Sequence, residues 1–247
     1  MISIITLNLR FGLADDGKNS WNNRKKIFPH FLNDYSTDFY SFQEANSFQI
    51  DFLQNNLPDY QFIGKKDNTP KFWQDNIIFY KKNWTCIKQD HFFLSHTPDI
   101  PSRLINSKWP RQCTMGLFEK KGVKLICLNT HFDFDENIQA QTAEFILKRM
   151  LGYPSSCPVI LTGDFNATPM SKCYQIFTKN KNFPFKNTFN APFPNTHHGF
   201  TGKGARGHID WILYRGNIIL QNSMIIKKSF KDRYISDHFA LLGNWTK

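Results

Sequence analysis

Residues 158–166 read Pro158-Val159-Ile160-Leu161-Thr162-Gly163-Asp164-Phe165-Asn166, a short β-branched run that ends abruptly in a carboxylate and an amide. An apolar run of this length, closed by a turn signal, reads as a mostly buried strand. The same event recurs upstream: Ile2–Leu7 ends at Asn8, Asp38–Phe42 at Gln43-Glu44, and Val123–Leu128 at Asn129-Thr130-His131. Two later runs begin with such groups instead, Asp210 before Trp-Ile-Leu-Tyr and Asp237-His238 before Phe-Ala-Leu-Leu. Strand ends line the edge of an open α/β sheet, where such folds place their sites. If the two later strands run antiparallel to the others, Asn8, Glu44, His131, Asp164, Asn166, Asp210, Asp237 and His238 share that edge. Singly, Asp and Asn at strand ends are ordinary turn residues. Six strand ends of this kind together point to a constellation.

Outward from these runs, further strands are read at 76–80, 209–214 and 238–243. Helices are read at 24–35, with Pro29 marking a kink or a later start, and at 48–57, with Ser47 as N-cap and Pro58 as terminator. Residues 136–151 place Ile138, Thr142, Phe145 and Ile146 on one face, 170–179 form a fourth helix, and 11–21 and 95–111 read as long loops. Strands alternating with helices imply a layered α/β protein with a mixed sheet. No linker or low-complexity stretch divides residues 1–247, so a single domain and a monomer are expected.

The chain is 40% hydrophobic, too apolar for disorder, and lacks the run of roughly 18 apolar residues that spans a membrane. Its five Cys form no CxxC pair, which argues against a disulfide framework or a zinc site. Met1 leads straight into a strand, so a cytoplasmic location is expected. The net charge of +11 suits a polyanionic partner as well as a merely solubilising surface. In 179–189, KNKNFPFKNTF, basic and aromatic residues interleave, and bases are expected to stack there.

These groups fit phosphoester hydrolysis. A carboxylate beside an amide or second carboxylate suits Mg²⁺, which takes oxygen ligands and keeps several waters, and Mn²⁺ is the alternative. An Asp beside an Asn can hold and deprotonate an attacking water. A His supported by an Asp has its tautomer fixed and can stabilise phosphoryl charge. A Ser-His-Asp mechanism is not favoured, because no GxSxG elbow is present.

In order, TLNLR, FQE, NTHFD, TGDFN, HIDWIL and SDHFAL resemble the motif series of the endonuclease/exonuclease/phosphatase superfamily (DNase I-like) over residues 2 to about 243. Its members range from nucleases to inositol-phosphate phosphatases and neutral sphingomyelinases. NSWNNRKK, FLSHTPDIPS and WPR further resemble a bacterial branch of it. The resemblance implies a four-layer α/β sandwich, two packed mixed β-sheets flanked by helices. It implies Glu44 as main Mg²⁺ ligand with Asn8 and Asp237 near the ion, Asp164 activating water, and Asn166 orienting water and phosphate. Asp210 would hold His238, while His238 and His131 would contact the scissile phosphate and Arg111 would clamp it. Arg10 stands where abasic-site endonucleases carry an acid, which argues against that subgroup. Gln74 stands where many relatives carry a Glu paired with the His of the NTH motif, leaving Asp75 as a substitute or Asn76 as a phosphate contact. The expected substrate is DNA or RNA, with a phosphorylated small molecule as the alternative.

Overall fold

The strands are β1 (Ile2–Asn8), β2 (Phe39–Ala45), β3 (Tyr60–Ile63), β4 (Asp75–Lys81), β5 (Thr85–Phe93), β6 (Gln112–Lys120), β7 (Val123–His131), β8 (Val159–Asp164), β9 (Lys186–Asn187), β10 (Asp210–Arg215), β11 (Ile219–Ile226) and β12 (Ala240–Thr246). The helices are α1 (Trp21–Arg24), α2 (Phe28–Asp34), α3 (Ser47–Asn56), α4 (Glu136–Met150) and α5 (Lys172–Thr178). This is a computed structural model that describes residues 1–204 and 206–247.

The strands form two six-stranded sheets, ordered β11-β12-β1-β2-β4-β3 and β5-β6-β7-β8-β10-β9. Each has a central parallel pair, β1 with β2 and β7 with β8. Parallel neighbours present their C-terminal ends side by side, which brings Asn8 beside Gln43 and His131 beside Asp164. The strands β12 and β10 run antiparallel to β1 and β8, so their starts return to the same edge, with Asp210 opposite Asp164.

Successive side chains in a strand point to opposite faces. Ile4, Phe39, Ile78, Phe118, Ile160, Ile212 and Trp245 fill the core between the sheets. Their neighbours Ile5, Tyr40, Phe42 and Phe79 pack outward against Phe28 and Phe31 of α2 and Ile50 and Leu53 of α3. On the other side, Leu128, Leu161 and Trp211 pack against Ala143 and Ile146 of α4 and Phe177 of α5. Burial on both faces explains why the central strands read as unbroken apolar runs. The result is the four-layer sandwich that the resemblance implies.

Several local expectations need correction. The helix read at 24–35 is split into α1 and α2, and Pro29 lies in the first turn of α2, where its missing N–H is not needed. Asn46, not Ser47, caps α3, and its N–H donates to the Gln49 side chain at 3.0 Å. The final strand begins at Ala240, after the Asp237-His238 pair, and runs to Thr246. Strands β3, β5, β6, β9 and β11 were not anticipated. Of these, β5, β11, β3 and β9 are the outer strands of their sheets, where polar residues such as Lys88, Gln89, Gln221 and Asn222 face water and blur the apolar signal. The loop expected at 95–111 ends where β6 begins, at Gln112.

Polar contacts staple the sheets at both ends. At the edge carrying the strand-end groups, Gln43 Nε2 donates to Asn129 Oδ1 at 2.6 Å and Thr6 Oγ1 at 2.9 Å. Asn129 Nδ2 in turn donates to the carbonyls of Phe42 and Ile77 at 2.8 and 2.9 Å. At the other end Asp38 accepts from Lys120 Nζ at 2.8 Å, Trp84 Nε1 at 3.0 Å and Ser3 N at 3.0 Å. Burial alone would raise the Asp38 pKa, but Lys120, Trp84 and Ser3 together hold it below the ordinary value. A folded-state pKa below the unfolded one stabilises the protein above the unfolded value, and that stability is lost as pH falls through the folded value. Asp38→Asn is therefore expected to cost about 2 kcal/mol near neutral pH, a fall of roughly 4–8 °C in Tm. In calorimetry the gap from wild type should close in acid; a gap of constant size would show that the charge of Asp38 is not the cause.

Candidate active site

The edge gathers every strand-end group named from the sequence. Asn8 Nδ2 donates to Glu44 Oε1 at 3.1 Å and to Asp164 Oδ2 at 3.0 Å, linking the ends of β1, β2 and β8. A β-bulge between Phe42 and Ala45 interrupts the pairing of β2 with β4, and Glu44 sits in it at φ 57°. Bulges re-aim side chains, and a positive φ at a non-glycine residue is strain often found at functional sites. The other Glu44 oxygen, Oε2, accepts from the Phe11 N–H at 2.6 Å. Asn166, at φ 48°, donates its own N–H to Asp164 Oδ1 at 2.9 Å and its side-chain amide to the Phe132 carbonyl at 3.0 Å and His131 Nε2 at 3.1 Å. The His131 ring lies between two carboxylates, with Nδ1 4.0 Å from Glu44 Oε1 and Nε2 3.6 Å from Asp164 Oδ2.

The two site histidines differ in charge, one cationic and one neutral. His238 Nδ1 contacts both oxygens of Asp210, at 3.1 and 2.9 Å, and its Nε2 lies 3.8 Å from Asp164 Oδ2. Burial alone would depress its pKa, but the carboxylates of Asp210 and Asp164 raise it to about 10, so the ring is an imidazolium. His131 is held well below its ordinary value, first by burial and then by Arg111 and His238, and is neutral. Burial and the charge of Asp210 push Asp164 up to about 6. Asp237 is held below the ordinary carboxylate range against its burial, by His197, His238 and Arg10. His197 Nε2 and Arg10 Nε approach Asp237 Oδ2 at 3.7 and 3.8 Å.

Beside this edge opens a cavity of about 560 Å³, lined by Glu44, His131, Arg111 and several aromatic side chains. Arg111 is the exceptional group in it. Among the described residues its guanidinium makes no hydrogen bond and no ion pair, and its Nε is buried without a partner. A mostly buried guanidinium with free donors is a receptor for an anion. Asn76 lines the same cavity, with its amide donating to the Gln112 carbonyl at 2.9 Å. Gln74 also lines it but does not contact His131; Glu44 faces that ring instead. Asp75 cannot substitute, because Trp73 Nε1 and the Lys66 N–H occupy its oxygens at 2.8 and 3.2 Å.

Other residues escaped the sequence reading. His197 packs edge-on to His238 with centroids 4.8 Å apart. Arg24, fully buried, donates to the carbonyls of Leu9 and Ile235 at 2.8 Å each, tying the exit of β1 to the segment before Asp237. Asp133 accepts from Ser107 Oγ at 2.8 Å and the Lys108 N–H at 3.0 Å, pinning the loop that carries Arg111. The motif NSWNNRKK held a signal for Arg24, and NTHFD one for Asp133; nothing local marks His197. The stacking expected at 179–189 is corrected: this segment meets β10 at Leu213 and Tyr214, away from Asp210. Phe185 there is buried in the core, and Phe183 lies under Arg215 at 4.6 Å.

The donor set suits a hard cation. Glu44 is a carboxylate with no Lys or Arg within 4.0 Å among the described residues, in an oxygen-rich, sulfur-free surround. Two groups, Asp164–Asp210–His238 and His197–Asp237–His238, also bring ligand atoms within 4.8 Å of one another. In the first, the imidazolium on Asp210 competes with any ion.

Residues 5–238 match the sequence model of the Endonuclease/Exonuclease/phosphatase family. No curated protein matches by sequence. Among solved structures, a mannosyl-6-phosphatase from Bacteroides thetaiotaomicron is 22% identical, with a TM-score of 0.89 and coverage of 100% of both chains. An endonuclease/exonuclease/phosphatase from Bacteroides vulgatus is 24% identical at TM-score 0.90, covering 99% of this chain and 98% of that one. D. rerio TDP2 in complex with a single-strand DNA product is 17% identical at TM-score 0.79, covering 100% of this chain and 99% of that one. No helix among the described residues is long and apolar enough to cross a membrane.

The charge assignment is open to measurement. In metal-free protein, nuclear magnetic resonance titration should find His238 still protonated in mild alkali, with Asp210→Asn bringing its titration down toward the ordinary histidine range. Titration of wild-type His238 near neutrality would contradict the assignment.

Proposed function

This chain belongs to the endonuclease/exonuclease/phosphatase family, whose members hydrolyse phosphoester bonds, and on that premise we propose that it is a Mg²⁺-dependent phosphodiesterase that cleaves nucleic acid through attack of water, with Mn²⁺ able to replace Mg²⁺. The observation that carries the reading is the unsatisfied Arg111 guanidinium in the cavity shared with Glu44 and His131. An anion suits such a group best, through paired charge-assisted hydrogen bonds, and Asn166 and Asp164 lie 3.1 and 3.6 Å from His131, which lines the same space. The net charge of +11 supports a polyanionic substrate.

In this reading Glu44 would hold the ion, with Asp237 near it, and Asn8 fixes the Glu44 carboxylate through its amide. A divalent ion bound there would supply Lewis-acid neutralisation of phosphoryl charge. Asp164 takes the proton of the attacking water at Oδ2. Its pKa of about 6 leaves it ionised yet basic enough near neutral pH. Asn166 and Asn8 fix the two Asp164 oxygens, so the base keeps one orientation. The His238 imidazolium, held by Asp210, directs its Nε2–H toward a phosphoryl oxygen and stabilises the charge that develops there. Arg111 clamps a second phosphoryl oxygen, and Asn76 offers its amide to the same phosphate. His131, kept neutral by burial and by Arg111 and His238, serves as a neutral contact and not as the acid for the leaving group.

A second reading keeps this chemistry and changes the substrate to a phosphorylated sugar or other small molecule. It is favoured by the bounded size of the cavity and by the likeness to the mannosyl-6-phosphatase.

An assay in Mg²⁺ and in EDTA across plasmid, single-stranded DNA and RNA, and small phosphomonoesters separates the two. Metal-dependent cleavage of a polymer is expected, with Asp164→Asn slower by at least about 100-fold and Arg111→Ala by about 100-fold in kcat/KM. Phosphate release from the small esters alone would overturn the nuclease reading, and turnover undiminished in Asp164→Asn would overturn the mechanism.

A further inference from the structure

Three large aromatic side chains, Phe72, Trp109 and Phe134, are 63%, 53% and 55% exposed, yet all line the cavity that holds Arg111. They come from three separate loops, between β3 and β4, between β5 and β6, and between β7 and α4. A contiguous exposed aromatic surface is a solubility liability that proteins retain for binding. Two of these loops also bring cations to rings, Lys66 from the first and Lys108 and Arg111 from the second. Lys66 Nζ lies 4.5 Å from the Phe93 centroid and 5.7 Å from that of Trp73, which also lines the cavity. Lys108 Nζ lies 5.6 Å from the Trp109 ring, and Arg111 lies 5.8 Å from that of Phe134. Among the described residues none of these three cations has an acidic partner within 4.0 Å. The loop bearing Trp109, Lys108 and Arg111 is fastened by Asp133, so the rings are held ready before a ligand arrives.

We infer that the cavity mouth is a stacking platform for unpaired nucleotides on either side of the scissile phosphate, and that the substrate is single-stranded nucleic acid. The inference rests on the reading of the site as a phosphoester hydrolase. Aromatic faces alternating with cations match what an unpaired strand offers, bases with free π-faces and a phosphate for each. A duplex hides those faces in its own stack. A phosphorylated sugar carries a single phosphate, which Arg111 would engage, and leaves Lys66 and Lys108, held against the cavity's Trp73 and Trp109, without a role.

The test uses Asp164→Asn protein and a labelled single-stranded oligonucleotide, read by fluorescence anisotropy. Three competitors are the same sequence as a duplex, an abasic strand of equal length and charge, and a hexose 6-phosphate. The single strand should bind at least about tenfold more tightly than the abasic strand or the duplex, the scale of one stacked base. Adding Trp109→Ala should weaken it about tenfold, and Trp109→Phe should restore most of the loss. Three neutralised phosphates predict a slope of about −2 in log K against log salt. Equal affinity for normal and abasic strands, or no effect of Trp109→Ala, overturns the platform. Wild-type cleavage of the same oligonucleotide in Mg²⁺, run in parallel, tells the failures apart. Cleavage with base-independent binding overturns the platform alone, whereas no cleavage together with turnover of the hexose phosphate overturns the nuclease reading as well.

Discussion

The contact on which the site depends is the buried hydrogen bond between Gln43 of β2 and Asn129 of β7, at 2.6 Å. Both residues are fully buried, and leaving either amide unpaired would cost about 1–3 kcal/mol per group. Sheets packed by apolar side chains alone can slide, because dispersion is not directional. An amide pair that also satisfies Thr6, Phe42 and Ile77 is directional, and it admits one relative placement of the two sheets. Glu44 follows Gln43 and His131 lies two residues past Asn129, so the same contact sets the distance across the catalytic edge. The ion pair of Asp38 with Lys120 closes the other end of the sandwich.

Four acidic side chains, Glu44, Asp164, Asp210 and Asp237, crowd one end of this frame, and their mutual repulsion shapes what each can do. Asp210 is absorbed by His238, which becomes a fixed positive charge. Asp237 is absorbed by Arg10 and His197. Asp164, buried beside Asp210, is pushed up to about 6. Glu44 keeps only hydrogen bonds from Asn8 and Phe11, which leaves its charge for a cation. Each carboxylate thereby acquires a different task from the same chemistry, through its neighbours alone.

The catalytic groups stand on strand ends and on turns that the hydrogen-bond network holds rigidly, whereas the rings and cations at the mouth stand on loops. Rigid elements give a reacting geometry its precision, and loops tolerate change. In the proposed function, hydrolysis of a phosphoester belongs to the edge, and choice among phosphoesters belongs to the three loops around the cavity.

The central strands were legible because burial on both faces demands unbroken apolar runs, and a polar residue ending such a run cannot be core. That is why Asn8, Glu44, His131, Asp164, Asp210 and His238 stood out from their surroundings. Outer strands such as β5 and β11 did not, since one face or one edge meets water and tolerates Lys, Gln and Asn. Local chemistry misplaced the cap of α3 by one residue, and the basic-aromatic stretch at 179–189 pairs with β10 away from Asp210. His197 and the free guanidinium of Arg111 acquire meaning only through contacts with segments distant in the chain. The sequence by itself determined which residues are too polar for the core and therefore gather at the strand ends. Only the tertiary structure decided their charges and partners, because a pKa and an unsatisfied hydrogen bond are properties of an environment, and that environment is built from both sheets.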